Sequence, residues 1–280
     1  MLARTIGERN VWQYPRLQRA AEYVELQLRN DGYATRRQTY EVSRLPVSNV
    51  EGTSIGRTRA GEIVILGAHY DSVTGCPGAN DNATGVAAML ELAHRFAAKP
   101  QPRTMRFVAF VNEEPPFFRT GQMGSLVYAT EARRNGDDIT GMISLETIGY
   151  YSNARGSQRY PAHIGMLYPD VGNFIGFVAN IASARLLFQA RRAFRRRTRF
   201  PLQSAAVPAA IPGVGWSDHW AFWQAGYAAM MVTDTAPFSY PWYHTPDDTP
   251  DKIDYDRLAQ VVDGLEHVAA ALAGGAASSQ

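Results

Sequence analysis

The residues best suited to chemistry lie in one stretch of the chain, GAHYDSVTGCPGANDNATGVAAMLEL. His69 and Asp71 close a hydrophobic segment, IVILGAHYDS, which predicts a buried strand. Because side chains alternate along a strand, both residues point the same way at its end, where they suit a metal ligand and the carboxylate that orients it. The structural alternative is that His69 packs in the core and Asp81 caps the following helix.

Further ligand-capable residues follow along the chain. Taken singly, each has an ordinary explanation as a solvated strand end, a turn carboxylate or packing beneath a proline-rich loop. Together they offer the imidazole nitrogens and carboxylate oxygens that bind zinc, in numbers that favour two metal ions sharing a carboxylate. These residues are Asp81, Glu113, Glu114, Glu146, Tyr243, His244, Asp247 and Asp248.

The adjacent pair Glu113-Glu114 follows a predicted buried strand. Neighbouring strand residues face opposite ways, but both can reach one site where a strand bends into a loop. One glutamate can then bind a metal while the other moves the proton of a water whose pKa zinc lowers to about 7.

The order of predicted elements is typical of a single doubly wound α/β domain over residues 1–280. We expect a mixed, mostly parallel central sheet with helices on both faces, and ligand binding at the carboxyl ends of its strands. The small, polar tail 274–280 predicts disorder. The predicted helices are 15–30, 84–98, 124–135, 172–184 and 255–273, and the predicted strands are 34–42, 47–54, 63–68, 106–112, 141–145, a strand near 163–167, and 228–233.

Composition limits the kind of protein. The chain has 280 residues, of which 45% are hydrophobic, and a net charge of +2, as in a packed globular protein with no preferred charged partner. Its one cysteine, Cys76, excludes an intramolecular disulfide framework and a multi-cysteine zinc site. No apolar run is long enough for a transmembrane helix, and the first residues lack the apolar core of a secretory signal. A secreted or cell-envelope location is our expectation, with any export signal already removed.

Several motifs together resemble those of the co-catalytic zinc exopeptidases, the family of bacterial leucyl-type aminopeptidases and glutamate carboxypeptidase, with glutaminyl cyclase as a more distant relative. The resemblance covers nearly the whole chain and implies the same α/β fold, zinc and a peptide substrate. It rests on GAHYDS, GANDNATGVAAMLELA, NEEPPFF, SLETIGYY, IPGVGWSDHWAFWQAGYAAMMVTDTA and YHTPDDTPDKID, which occur in the family's order.

The resemblance implies a set of metal ligands. Asp81 would bridge two zinc ions, with Glu114 and His244 completing one shell and His69 and Glu146 the other. The family usually has Asp where this chain has Glu146. The extra methylene lengthens the reach of this side chain, so we expect a second zinc site that is weaker or selects another divalent ion.

The resemblance also implies catalytic roles. Glu113 would be the general base and then the general acid, and Asp71 would orient His69. Tyr243 would donate a hydrogen bond to the tetrahedral intermediate. The peptide bond between Asp81 and Asn82 would be cis.

Three other features could be mistaken for sites. Ser217-Asp218-His219 cannot be a hydrolase triad, whose members come from separate segments, so it is either a wall of the metal site or a helix N-cap made by Ser217. The arginine-rich run 194–199 favours a solvated helix face, with an anionic substrate end or a membrane surface as alternatives. Cys76 has no assignable base and is interpreted as incidental.

The sequence therefore predicts a metallo-aminopeptidase that acts on peptides and not on nucleic acid. Aromatic residues in 115–118, 216, 220 and 240–243 suggest an apolar side-chain pocket and a preference for N-terminal Leu, Phe or Met. The alternatives are a carboxypeptidase that uses the arginine run to hold acidic C-termini, a single-zinc glutaminyl cyclase, and a binding module without activity. The oligomeric state stays open.

Overall fold

The alternating hydrophobic segments of the chain form one central sheet. A computed structural model describes residues 1–160 and 168–274. Within these ranges the strands are β1 Ala34–Val42, β2 Leu45–Ser54, β3 Arg59–His69, β4 Arg103–Phe110, β5 Asp138–Glu146, β6 Ile175–Ala179, β7 Leu202–Ala206 and β8 Ala229–Thr233. The α-helices are α1 Tyr14–Asn30, α2 Gly85–Phe96, α3 Gly124–Arg134, α4 Ala184–Arg195, α5 His219–Gln224, α6 Ala236–Ser239 and α7 Tyr255–Leu272.

The sheet is mixed, as predicted. Its strand order is β1-β2-β4-β3-β5-β8-β6-β7. The central strands β4, β3, β5 and β8 run parallel to one another, while the β1–β2, β2–β4 and β6–β8 pairs are antiparallel. The parallel core brings the carboxyl ends of β3, β4 and β5 to one edge, where ligand-binding side chains can meet.

Strand β3 shows why the central segments are continuously apolar. Val64 and Leu66 belong to the larger hydrophobic cluster, which includes side chains from α1, α2, α4 and α7. Ile63 and Ile65 belong to a second cluster, which includes side chains from α3 and α5. Because alternate residues bury against opposite layers, the strand needs apolar side chains on both faces. The prediction of helices on both faces of the sheet is confirmed.

One predicted helix is wrong. Residues 172–184 are predicted to be helical. The structure instead has the short strand β6, followed by a single 3-10 turn and then α4. Gly176 lies in β6, and pairing with β7 and β8 outweighs the weak helical pattern.

Helices α4, α5 and α6 are absent from the predicted helices, and the remaining differences concern one edge strand and residues outside the described ranges. Strand β7 was not predicted, because it is a half-buried edge strand without a continuous apolar run. The strand expected near 163–167 lies outside the described residues, as does the predicted tail beyond Gly274. Among the described helices, none combines the length and the apolar character needed to cross a membrane.

Candidate metal centre

The predicted ligands converge at the carboxyl ends of three neighbouring strands. His69 is the last residue of β3 and Glu146 the last of β5. Glu113 and Glu114 follow β4, and the chain bends between them and the strand at Asn112, whose φ is 59°. This bend lets the two adjacent glutamates approach the same site, as the sequence predicted.

One group of candidate ligands consists of His69, Asp81 and Glu146. Nε2 of His69 lies 3.2 Å from Oδ1 of Asp81 and 3.4 Å from Oε2 of Glu146. All three residues are buried. A single cation can therefore be reached by one atom from each side chain.

A second group consists of Asp81, Glu114 and His244. Nε2 of His244 lies 3.0 Å from Oδ2 of Asp81 and 3.3 Å from Oε2 of Glu114. Asp81 thus faces one histidine with each of its carboxylate oxygens. The structure brings all five predicted ligands together and places Asp81 between the two groups.

The hydrogen bonding of these residues fits a metal site. Among the described residues, several of their buried polar atoms have no hydrogen-bond partner, which costs free energy unless another group satisfies them. A pair of divalent cations would satisfy all of them except Nδ1 of His69, which faces Asp71, and the nitrogen and oxygen donors suit zinc. The unpartnered atoms are both ring nitrogens of His69, Oδ1 of Asp81, Oε1 of Glu114 and Nε2 of His244.

Asp71 connects His69 with the backbone of Glu113 and Glu114. Its Oδ1 lies 3.5 Å from Nδ1 of His69, consistent with the predicted orienting role. Its two oxygens also accept backbone hydrogen bonds of 3.2 Å from the N–H groups of Glu113 and Glu114. One buried carboxylate therefore couples the end of β3 to the loop after β4.

Ser217 lies against the metal centre and does not cap a helix. Its hydroxyl donates a 2.7 Å hydrogen bond to Oε2 of Glu146 and lies 2.7 Å from Oγ of Ser144. The N-cap alternative is wrong, because α5 has no side-chain cap. His219 points elsewhere, with Nε2 lying 2.8 Å from the carbonyl oxygen of Val214. Ser217 is therefore part of the wall of the site, and the three residues form no triad.

The loop that carries Asp81 is held by two buried carboxylates. Oδ1 and Oδ2 of Asp248 accept hydrogen bonds from the backbone N–H groups of Asn80 and Asp81, at 2.8 and 3.1 Å. Oδ2 of Asp234 accepts a 2.9 Å hydrogen bond from the side-chain amide of Asn80. The Asp81–Asn82 peptide bond is cis, as the resemblance implied.

One residue behind this loop could not be predicted from the sequence. Arg9 is fully buried and donates hydrogen bonds to the carbonyl oxygens of Tyr70 at 2.6 Å and Gly78 at 2.8 Å, and to those of Gly7 and Pro77. It ties the N-terminal segment to the two ends of the loop between His69 and Asp81. Because all its acceptors are backbone carbonyls, no side-chain motif marks it.

Burial raises the pKa values of three groups at or near the centre: Glu113, Tyr243 and Cys76. Burial raises the pKa of Glu113 well above its ordinary value; His69 opposes this rise, while Glu146 and Glu114 add to it. Burial, together with Asp81 and Glu114, also raises the pKa of Tyr243, so its phenol keeps its proton. Burial raises the pKa of Cys76 to about 12, which makes its thiol a poor nucleophile and supports the incidental reading.

An apolar cavity of about 250 Å³ opens beside the centre. Glu146 and Tyr243 belong to its wall, together with Tyr168, Phe174, Val178, Trp216, Met231 and Phe238. The predicted aromatic lining is therefore only partly right. Phe117 instead stacks on Trp12, with ring centres 5.8 Å apart, and Tyr240 donates a hydrogen bond to Asp248.

Comparison with known proteins finds matches over most of the chain. Residues 49–269 match the model of peptidase family M28. The Escherichia coli protein YfbL, named as uncharacterized, is 39% identical over 94% of this chain and 83% of its own length. A zinc aminopeptidase from Bacillus subtilis is 25% identical, with a TM-score of 0.61 over 81% of this chain and 50% of its own. The chain thus spans about half the length of that enzyme.

A glutaminyl cyclase from Fimbriiglobus ruber also shares the fold. It is 20% identical, with a TM-score of 0.66 over 95% of this chain and 90% of its own. At this identity the likeness concerns the fold alone.

Proposed function

The chain belongs to peptidase family M28, and we propose that it is a zinc-dependent aminopeptidase that releases apolar residues from the N-termini of peptides. The observation that carries the proposal concerns two residues in the wall of the apolar cavity: Glu146 belongs to the first ligand group, and Tyr243 stacks on His244 of the second. A peptide whose first side chain fills the cavity therefore presents its first carbonyl to the centre.

The charge around the cavity supports action at the amino end. Glu146, Glu113 and Asp81 offer carboxylates that can attract a free α-ammonium group. Among the described residues that line the cavity there is no arginine or lysine to hold a terminal carboxylate. The arginine run that a carboxypeptidase would need lies on and just after α4, whose residues do not line this cavity.

The two ligand groups would hold two zinc ions, with Asp81 shared between them. Zinc, when bound, lowers the pKa of water to about 7 and polarises a carbonyl oxygen. Glu113 belongs to neither group, and its Oε2 lies 3.9 Å from Nε2 of His69. Zinc ions beside it would favour its ionised form, so its carboxylate would take the proton from the attacking water and pass it to the leaving amine.

Tyr243 completes the proposed mechanism. Its ring stacks on that of His244, with ring centres 3.9 Å apart and an interplanar angle of 18°, which fixes the phenol beside the second ligand group. Because its pKa is raised, the hydroxyl remains a donor to the oxygen on which negative charge develops.

The first experiment measures bound zinc and leucyl-p-nitroanilide hydrolysis in one preparation, with and without a chelator. Two zinc ions per chain and chelator-sensitive hydrolysis are expected. One zinc ion, no hydrolysis, and cyclisation of an N-terminal glutaminyl peptide would overturn the proposal in favour of a cyclase. Faster hydrolysis of arginyl or glutamyl than of leucyl p-nitroanilide would overturn the apolar preference.

A further inference from the structure

The positive charge of the chain is concentrated in one segment. Residues 171–217 contain seven arginines and no aspartate or glutamate, although the whole chain has a net charge of only +2. All seven arginines lie between residues 185 and 199, on α4 and directly after it. No nearby carboxylate in the sequence cancels this charge.

Three of these arginines lie on one face of α4. Arg185, Arg192 and Arg196 follow one another at spacings of seven and four residues, which places them on the same side of a helix. All three are exposed, and none forms an ion pair with another of the described residues. At about 1.5 Å per residue, the row extends over roughly 16 Å.

The same face carries exposed apolar side chains. Phe188, in α4, is 57% exposed, and Ile181, in the turn just before α4, is 64% exposed. The opposite face of the helix is already occupied, because Leu187, Ala190 and Phe194 are buried in the core that includes α7. The outer face therefore carries arginines beside two apolar side chains that are more than half exposed.

We propose that this outer face of α4 docks on an anionic lipid bilayer. Arginines bind lipid phosphates, and exposed Phe and Ile side chains enter the boundary between headgroups and acyl chains. A row of roughly 16 Å is too long for one small anion and matches an extended surface. Self-association through this face would oppose arginine to arginine, and nucleic acid would gain nothing from Ile181, which cannot stack on a base.

The test measures partitioning onto vesicles by co-sedimentation. One vesicle set is phosphatidylcholine alone, and the other is equal parts phosphatidylcholine and phosphatidylglycerol. The variants are the triple change Arg185→Gln/Arg192→Gln/Arg196→Gln and the single change Phe188→Ala. The matched control is Arg19→Gln/Arg44→Gln/Arg57→Gln, which removes the same charge from exposed positions on α1 and the turns beside β2.

The wild type is expected to bind the anionic vesicles and not the neutral ones, with weaker binding at high salt. The α4 triple variant should lose roughly 100-fold in partitioning, about fivefold per arginine, and Phe188→Ala about tenfold, while the control changes little. Absence of wild-type binding, or equal losses in the two triple variants, would overturn the proposal. Unchanged binding of Phe188→Ala would also overturn it, because a polyanion without an apolar phase would be bound by the arginines alone.

Discussion

Ser217 donates a hydrogen bond to the same oxygen of Glu146 that faces His69. The Ser217 Oγ–Glu146 Oε2 distance is 2.7 Å, and that Oε2 lies 3.4 Å from Nε2 of His69. A glutamate has one more rotatable bond than the aspartate usual in the family, so it loses more freedom when it binds a metal. The serine hydroxyl offsets this by holding the ligand oxygen in place, as partners behind metal ligands commonly do.

Removing this hydroxyl should weaken one zinc site. Ser217→Ala is expected to lower the affinity of the more weakly held zinc by about 10- to 100-fold and leave the other unchanged. Competition with a chromophoric chelator measures both affinities. Ser144→Ala is the matched control. Ser144 lies within hydrogen-bonding distance of Ser217, but only Ser217 donates to Glu146. Equal effects of the two substitutions would count against the positioning role.

Replacing the proposed base should stop turnover without loss of metal. For Glu113→Gln we expect kcat on leucyl-p-nitroanilide to fall by about 10²- to 10⁴-fold, because the amide cannot accept the proton of water. Zinc content should be unchanged, since Glu113 belongs to neither ligand group. The exposed Glu41→Gln serves as control. A variant that lost zinc in parallel with activity would assign Glu113 to the metal shell instead.

Filling the apolar cavity should change substrate selection. Val178, on β6, lines the cavity, and Val178→Trp would occupy part of the space proposed for the first side chain. We expect kcat/KM for leucyl-p-nitroanilide to fall by about 10- to 100-fold, with a much smaller change for the alanyl substrate. Steady-state assays on both substrates in the same preparation measure the ratio. Parallel losses on both would mean that the side chain binds elsewhere.

Arg9 should be important for stability although it lies far from any motif. Arg9→Met would remove the guanidinium donors of the carbonyl oxygens of Tyr70 and Pro77, and leave that of Gly78 with only the backbone N–H of Ala83. The expected loss in the free energy of unfolding is about 3–5 kcal/mol, measured by chemical denaturation. Arg16→Met, at an exposed position of α1, is the control. A loss no larger than that of the control would show that water can replace the guanidinium.

His219 should make the fold sensitive to mild acid. Burial lowers its pKa from the ordinary 6.5 to about 4. The unfolded chain therefore gains a proton below about pH 6.5 that the folded chain does not accept, and stability declines as the pH falls toward 4. This residue alone accounts for a loss of about 3 kcal/mol.

Substitution of His219 tests this dependence. His219→Gln keeps a donor for the carbonyl oxygen of Val214 but cannot titrate. Unfolding free energies measured from pH 7 to pH 4 should therefore fall less steeply in the variant than in the wild type. Identical slopes would show that His219 accepts a proton in the folded state.

The candidate metal centre could be predicted from sequence because two of its candidate ligands lie at the ends of strongly apolar strands. His69 and Glu146 each follow a run that is buried on both faces, so the strand and its carboxyl end are easy to locate. The apolar runs thus indicate where His69 and Glu146 lie. Asp81 could be predicted from its place between a glycine-rich loop and an amphipathic helix.

The remaining features depend on contacts that no local pattern records. Arg9 donates its hydrogen bonds to backbone carbonyl oxygens, which come together only when the chain folds. Strand β6 has five residues and contains a glycine, so its conformation is decided by its partners β7 and β8. The cavity wall likewise combines side chains that are distant in sequence, such as Phe174 and Phe238.

The strand order has a consequence for how the protein opens. The strands that lead to His69, Glu113 and Glu146 are β3, β4 and β5, which are neighbours in the interior of the sheet, while β1 and β7 form its edges. Edge strands fray at a low free energy, whereas interior strands exchange their amide hydrogens only when the whole domain unfolds. His69 and Glu146 are therefore held by strands that unfold only with the whole domain, so local unfolding at either edge leaves these two candidate ligands in place, whereas Asp81 and His244 lie outside the strands.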